Sequence, residues 1–297
     1  MQEPFRDRIE IRPPVPTDNP SPFSRSSSAD SCLLLAVCIS DRVAVYYILE
    51  FFMARFFVTK NDIDDNQITV SGKDAFHIAR SLRMAVGDKL TVCDDGGTEY
   101  LCELTRIRDE ECTCSILDTS AGSTESPAYI TLYMAYPKGD KLETVVQKSV
   151  ELGASEIIPF ESSRCIKRPA ADKADKIAER LSRIAEEAAK QCGRSILPKV
   201  SKQVKFSDVT ARAKDYDLAL FCYEGEGATS LKATLEAYGK VGGRIAVIIG
   251  SEGGFSEDEA RLIIEAGAKC VNLGPRILRC ETAPDYCLAA ISYHFEL

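Results

Sequence analysis

The sequence predicts an α/β protein: a parallel sheet covered by helices, preceded by a small β-rich domain. Three observations lead there. From Ile130 onward, short apolar runs alternate with segments of helical apolar spacing, the pattern of strands that cross over through helices. Between residues 53 and 122 the apolar runs are short and joined by glycine turns, as in a compact β domain. Late in the chain, the runs Ile245–Ile249 and Cys270–Leu273 end at Gly250-Ser-Glu-Gly-Gly254 and Gly274-Pro275, with one helix between them. In an open α/β sheet, ligands bind beyond the carboxyl ends of the strands, so these two loops are expected to share one ligand.

A chain of 297 residues suits two domains, and 45% hydrophobic residues with 28% charged ones supply a real core. The net charge of −8 argues against indiscriminate nucleic-acid binding, which draws on surplus Lys and Arg. A selective RNA site built from local basic residues is compatible with it. Twelve cysteines are scattered without a CxxC, and the only histidines are His77 and His294, so a zinc site is not expected. Such cysteines act as small buried hydrophobes in a reducing cytosol.

Residues 1–52 stand apart. Arg12 to Ser31 is rich in Pro and Ser and predicts disorder. Cys32 to Phe52 is apolar but is broken by Ser40-Asp41-Arg42, leaving runs too short for the roughly 20 residues of a spanning helix. The preferred reading is that Met53 is the natural start and that the preceding stretch is upstream sequence; a membrane segment is the alternative.

In residues 53–122, Ala54–Val58 and Gln67–Val70 are short strand candidates. Lys89–Cys93 and Glu99–Leu104 form a hairpin around Asp95-Gly-Gly97, and Glu111–Leu117 alternates as a half-buried strand does. One helix, Lys73–Met84, carries His77, Arg80 and Arg83: either a solvated basic face or a face for RNA. Ser120 to Pro127 is small, polar and proline-terminated, the expected linker, with the second domain over 123–297. Strands are then expected at Ile130–Tyr136, Glu156–Phe160 and Leu218–Tyr223. Helices are expected at Asp140–Leu152, Asp172–Cys192 with Gly193 as cap, Thr229–Tyr238 and Ala283–Phe295. Ser256 with Glu259 three residues on is a capping box, starting a helix that turns Ala260, Ile263 and Ile264 inward and stops at Gly267.

The chemistry lies in the two late loops. Gly250–Gly254 matches neither the dinucleotide nor the P-loop fingerprint, and Glu252 in its middle would repel a phosphate. The loop suits a positively charged ligand or one held by backbone groups. In the second loop, Ile277 and Leu278 are placed to wall an adenine pocket while Arg279 points elsewhere.

These residues carry a resemblance. IGSEGGFS followed by LGPRILRCETA resembles the signature of the ribosomal RNA small-subunit methyltransferase E family, SPOUT-class enzymes that methylate N3 of a uridine in 16S rRNA. The similarity runs from Met53 to the C-terminus and includes HIARSLRM at His77–Met84, KSVELG at Lys148–Gly153, SSRC at Ser162–Cys165 and QCGR at Gln191–Arg194. It implies a PUA-like β-barrel followed by a SPOUT-type, trefoil-knotted parallel-sheet domain, where general chain-path rules would argue against a knot. It also implies a cytoplasmic homodimer, with no membrane partner, that holds S-adenosyl-L-methionine in the knot. The implied cofactor residues are Leu220, Phe221, Tyr223, Ile249, Gly250, Glu252, Gly253, Gly254, Leu273, Gly274, Ile277, Leu278 and Thr282. Ser251 stands where the family commonly has Pro, Cys280 where Thr is usual, and Ser163 replaces a frequent Glu.

The methyl donor bears a sulfonium cation and leaves neutral, so a closely wrapped backbone suits it better than an anion site. Methylating uracil N3 means removing a weakly acidic proton and stabilising negative charge on the flanking carbonyl oxygens. Arg276 or Arg279 is the candidate for the charge, Glu252 or Glu281 for the proton; the alternatives are an RNA phosphate contact and a loop cap. RNA contacts are expected from Arg55, Arg80, Arg83, Arg164, Lys167, Arg168 and Arg194, which position a substrate without reading its sequence. The acidic balance suggests recognition of an assembled small ribosomal subunit. Rival readings are a methyltransferase of this class with another rRNA or tRNA target, a non-catalytic RNA-binding protein, and a nucleotide-dependent enzyme of ordinary open-sheet type.

Overall fold

The computed structural model describes residues 53–297 apart from 167 and 226. The readings placed on residues 1–52 lie outside the described residues. The β-rich domain is a six-stranded sheet. Its strands are β1 (Arg55–Phe57), β2 (Ile63–Asp64), β3 (Gln67–Ser71), β4 (Lys89–Cys93), β5 (Thr98–Ile107) and β6 (Glu111–Ala121), in the order β1-β4-β5-β6-β3-β2. All pairs are antiparallel except β1 with β4. Register shifts after Leu101 and Leu104 bend the long β5–β6 hairpin, the usual work of a bulge. Its core holds Phe56, Ile68, Val70, Ile78, Leu90, Val92 and Leu104, with Cys102, Cys112 and Cys114 among them as small apolar residues. The helix expected over Lys73–Met84 is shorter: α1 spans Gly72–Phe76 and continues as a π turn over His77–Ser81. Arg83, at φ 52°, breaks it. The expected linker is also shorter, because Thr98 pairs with Ala121 and draws Ser120 and Ala121 into β6.

The second domain contains an entirely parallel sheet. Its strands are β7 (Ala128–Ala135), β8 (Glu156–Glu161), β9 (Lys199–Val200), β10 (Val204–Lys205), β11 (Leu218–Cys222), β12 (Thr229–Ser230), β13 (Gly243–Ile249) and β14 (Lys269–Asn272). The order is β10-β8-β7-β13-β11-β14-β12, with β9 beside β8. The central strands are buried on both faces, so Ile130, Leu132, Ile157, Leu220, Phe221, Val247 and Ile248 form near-continuous apolar runs. The helices are α2 (Lys141–Glu151), α3 (Ala174–Cys192), α4 (Phe206–Arg212), α5 (Leu231–Tyr238), α6 (Glu257–Glu265) and α7 (Thr282–Glu296). α3 ends at Gly193 with φ 77°, the left-handed cap its position predicts. Helix α4 and the two-residue strands β9, β10 and β12 escaped the sequence pattern, being too short to show a period.

A charged pair and a hydrogen bond to a carboxylate join the two domains. Lys190 on α3 meets Asp74 of α1 at 2.7 Å and lies over the Phe56 ring, 5.5 Å from its centre. Arg55 on β1 donates to Glu99 at 2.8 Å, and Ser195 Oγ donates to the same carboxylate at 2.6 Å. Arg194 is buried. It donates to the Ala154 carbonyl at 2.5 Å, to Val150 O at 3.4 Å, and to Glu125 of the linker. Among the described residues no helix is long and apolar enough to cross a membrane.

Candidate functional site: a cavity at the carboxyl ends of three strands

β13, β11 and β14 lie side by side, with β11 in the middle. The two strands whose loops are expected to share one ligand are therefore separated by one strand. Their loops still meet over the end of β11. The first loop turns tightly: Gly254 N donates to Ser251 O at 2.9 Å, and Gly254 takes φ 63°. Two of its glycines are required by close approach. A Cβ on Gly250 would lie 2.9 Å from the Phe255 ring, and one on Gly253 would lie 2.9 Å from Arg164 Cβ and 3.0 Å from the Arg164 carbonyl. Phe255 anchors the turn below, its ring 4.8 Å from that of Phe221 and 6.2 Å from that of Phe160.

The capping box at Ser256 and Glu259 forms as read, and Glu259 does more than cap. Its carboxylate also accepts from Ser163 N at 2.6 Å and Ser163 Oγ at 2.7 Å, tying the 162–164 segment to the start of α6. Burial pushes this carboxyl up, but the bonds from Ser256 and Ser163 outweigh it and hold it below the usual glutamate value. The buried stripe of α6 consequently includes Glu259 with Ala260 and Ile263, and Ile264, expected inside, is exposed.

A cavity of about 630 Å³ opens above these strand ends. Its floor is Cys222, Ile249 and Val271; the glycine turn forms one wall and Leu273, Ile277, Leu278 and Cys280 form another. Lys141, the first residue of α2, joins the walls: its Nζ lies 3.0 Å from Glu252 Oε1 and 3.1 Å from Glu281 Oε2. The Lys138 amide adds a bond to Glu252 at 3.1 Å. Burial raises the Glu252 carboxyl, yet hydrogen bonds from its own backbone, Lys141 and Lys138 bring it below its ordinary value. Hydrogen bonding from its own backbone, then from Cys280 and Lys141, lowers Glu281 likewise. The Cys280 thiol, buried and hydrogen-bonded to Glu281, is pushed up to about 12. Ser251 Oγ is buried with no hydrogen-bond partner among the described residues.

Residues 124–292 match the family model of an RNA methyltransferase domain, and residues 70–117 that of an RNA methyltransferase PUA domain. Ribosomal RNA small subunit methyltransferase E of Bacillus subtilis is 35% identical over 251 residues, covering 82% of this chain and 98% of the relative. The chain belongs to this methyltransferase family. The relative of the same name from Synechocystis is 30% identical, covering 87% of this chain and 82% of its own. A crystal structure of the family member from Neisseria gonorrhoeae, bound to S-adenosyl methionine, superposes with a TM-score of 0.70 at 29% identity, covering 81% of this chain and 97% of that one.

Of the residues assigned to a cofactor from the sequence, Tyr223, Ile249, Gly250, Glu252, Gly253, Gly254, Leu273, Ile277 and Leu278 line the cavity. Leu220 and Phe221 do not: both are fully buried in β11, supporting the floor from beneath. Gly274 and Thr282 also lie off the wall, and Thr282 N caps the loop by donating to Arg279 O at 2.9 Å. Lys141, Glu224 and Asn272 line it without having been expected. Lys141 had a signal in its position just after Asp140 at a helix start, but nothing local announced its two distant partners. Arg279 lines the cavity and Arg276 lies exposed outside it; neither guanidinium has an ion-pair partner among the described residues.

The expected RNA contacts divide. Arg194 is corrected outright, since its guanidinium is spent inside the protein on Glu125 and two carbonyls. Arg55 is corrected likewise, turned inward to Glu99 at the domain junction. Arg80 is exposed and paired with Asp109, and Arg83 is exposed. Arg164 stands at the cavity rim with its guanidinium 3.3 Å from Gly253 O, and Arg168 is bound to the carbonyls of Ser163 and Cys165 in its own loop. Lys167 lies outside the described residues. Among the described residues no His, Cys, Asp or Glu group could hold a metal ion.

Proposed function

We propose that this protein transfers the methyl group of S-adenosyl-L-methionine to N3 of a uridine in the 16S rRNA of the small ribosomal subunit, as a cytoplasmic homodimer with a knotted cofactor loop. The observation that carries the reading is the cavity where the glycine turn and the 273–281 loop meet, with Arg279 on its wall and without an ion-pair partner among the described residues. The residues present suit the cofactor. Leu273, Ile277 and Leu278 offer an apolar slot for a purine, the turn offers backbone groups at close range, and buried Ser251 Oγ lacks a partner among the described residues. When bound, the cofactor supplies an electrophilic methyl on a sulfonium.

The chain's own part is to position uracil and handle its charge. As N3 gains the methyl it loses its proton, the electron pair of the old N–H bond becoming available to the new N–C bond. Arg279 is placed to stabilise the negative charge that this develops on the uracil oxygens. Glu252 and Glu281 are held ionised by hydrogen bonds from their own backbone and then from Lys141, which makes them weaker proton acceptors than their place in the sequence suggests. Arg80, Arg83, Arg164 and Arg168 are exposed and remain the candidates for phosphate.

Mass mapping of 16S rRNA from cells lacking the protein tests the proposal: one uridine should lose a single methyl group, and restoring the gene should return it. A methyl lost from another rRNA, or none lost, overturns it. Methylation of a short free oligonucleotide as fast as of the assembled subunit would remove the subunit from the reading, and a monomer in sedimentation would remove the dimer.

A further inference from the structure

Among the described residues, Lys141 is the one cation in the cavity wall that bonds to both loops, and its role follows from counting charge. Six charged side chains among the described residues line the cavity: Glu224, Glu252 and Glu281 against Lys141, Arg164 and Arg279. Three carboxylates and three cations leave the wall neutral. We propose that Lys141 is a positioning and charge-setting residue, which keeps this wall from discriminating strongly between a sulfonium-bearing methyl donor and its neutral, demethylated product. The inference rests on the methyl-donor reading of the cavity.

The geometry supports both halves. Glu252 belongs to the turn after β13 and Glu281 to the loop that opens α7, and the Lys141 ammonium lies within 3.1 Å of a carboxylate oxygen on each. Without it, two carboxylates on facing loops would stand unscreened at the mouth. A wall of net −1 would grip a cation and gain nothing on a neutral thioether. It would stabilise the donor in the ground state more than in the transition state, where the sulfonium charge is already fading, and so oppose transfer. The neutral wall makes selectivity depend on shape and backbone contacts instead.

Calorimetric titration with S-adenosyl-methionine and S-adenosyl-homocysteine tests this on the full chain. A unit charge about 8 Å from a bound cation, at an effective dielectric of about 40 for a half-open site, changes affinity about sixfold. Lys141→Met should therefore shift the ratio of the two dissociation constants about sixfold in favour of the cation. Glu281→Gln should move the ratio the other way by a similar factor, and this variant keeps the test valid where Lys141→Met does not fold. Lys141→Arg, which keeps the charge, should leave the ratio within about twofold of the wild type. A purely structural clamp would weaken both ligands alike, so an unchanged ratio in Lys141→Met and Glu281→Gln overturns the inference while leaving the methyl-donor reading intact. A wild-type chain that binds neither compound overturns both.

Discussion

Replacing Arg194 with methionine should cost the folded chain about 3 kcal/mol, because a buried ion pair is broken while the stem's volume is kept. The guanidinium serves Val150 O, Ala154 O and both oxygens of Glu125. Methionine fills the space but leaves the buried Ala154 carbonyl without its donor, at about 1 kcal/mol, while Val150 O keeps the Gly153 amide at 3.2 Å. Glu125 loses its charged partner but retains the amides of Ser195 at 3.0 Å and Ile196 at 3.1 Å. The loss should thus fall at the lower end of the roughly 3–5 kcal/mol seen when one partner of a buried pair is removed. With a urea slope of about 3 kcal/mol per molar, the unfolding midpoint should drop by about 1 M. The control is Arg80→Ala, whose pair with Asp109 is exposed and should leave the midpoint where it was. A shift for Arg194→Met no larger than for Arg80→Ala would refute the reasoning and return Arg194 to the set of surface cations.

Three further outcomes are expected. Gly253→Ala should weaken S-adenosyl-methionine binding at least about tenfold by calorimetry and also lower the thermal midpoint, since its Cβ meets Arg164 Cβ and carbonyl and the turn must shift. Arg279→Ala should lower kcat about 100-fold or more with unchanged circular dichroism, the cost of removing one stabiliser of developing charge; a near-normal rate would exclude it as an essential group. Glu259 has a folded pKa below its unfolded one, so its stabilisation is present above the ordinary glutamate value and is lost as pH falls through the folded value. Glu259→Gln should be less stable than wild type near pH 7, and the gap in urea midpoints should close on acidification below the ordinary glutamate range. A gap independent of pH would mean that the Glu259 charge contributes nothing.

Much of this architecture was legible because long elements announce themselves. Helix α3 shows its period through Ile177, Leu181, Ile184 and Ala188, of which Leu181 and Ala188 are buried, and the run Ile245–Ile249, rich in β-branched residues and closed by Gly250, marks the buried strand β13. The glycine turn and the capping box were readable because their residue types are demanded by local geometry. What escaped was non-local. No spacing reveals that β11 inserts between β13 and β14, so Phe221 read as a ligand contact when it is a support for Phe255. Lys141 finds its partners 111 and 140 residues away in the chain. Arg194 and Arg55 looked like surface cations because sequence shows a charge but not the carboxylates, 69 and 44 residues away in the chain, that fold against them.

The cysteines have a practical consequence. Ten of them are described, all unpaired: seven are buried, and Cys192, Cys222 and Cys270 are half-buried. The native fold thus conceals its sulfhydryls in graded fashion, and a colorimetric thiol reagent becomes a stopwatch for local opening. Cys222 sits on the cavity floor and Cys192 at the end of α3 near the junction. Alkylation of the first reports occupancy of the cavity, and alkylation of the second reports separation of the domains, without any label being introduced.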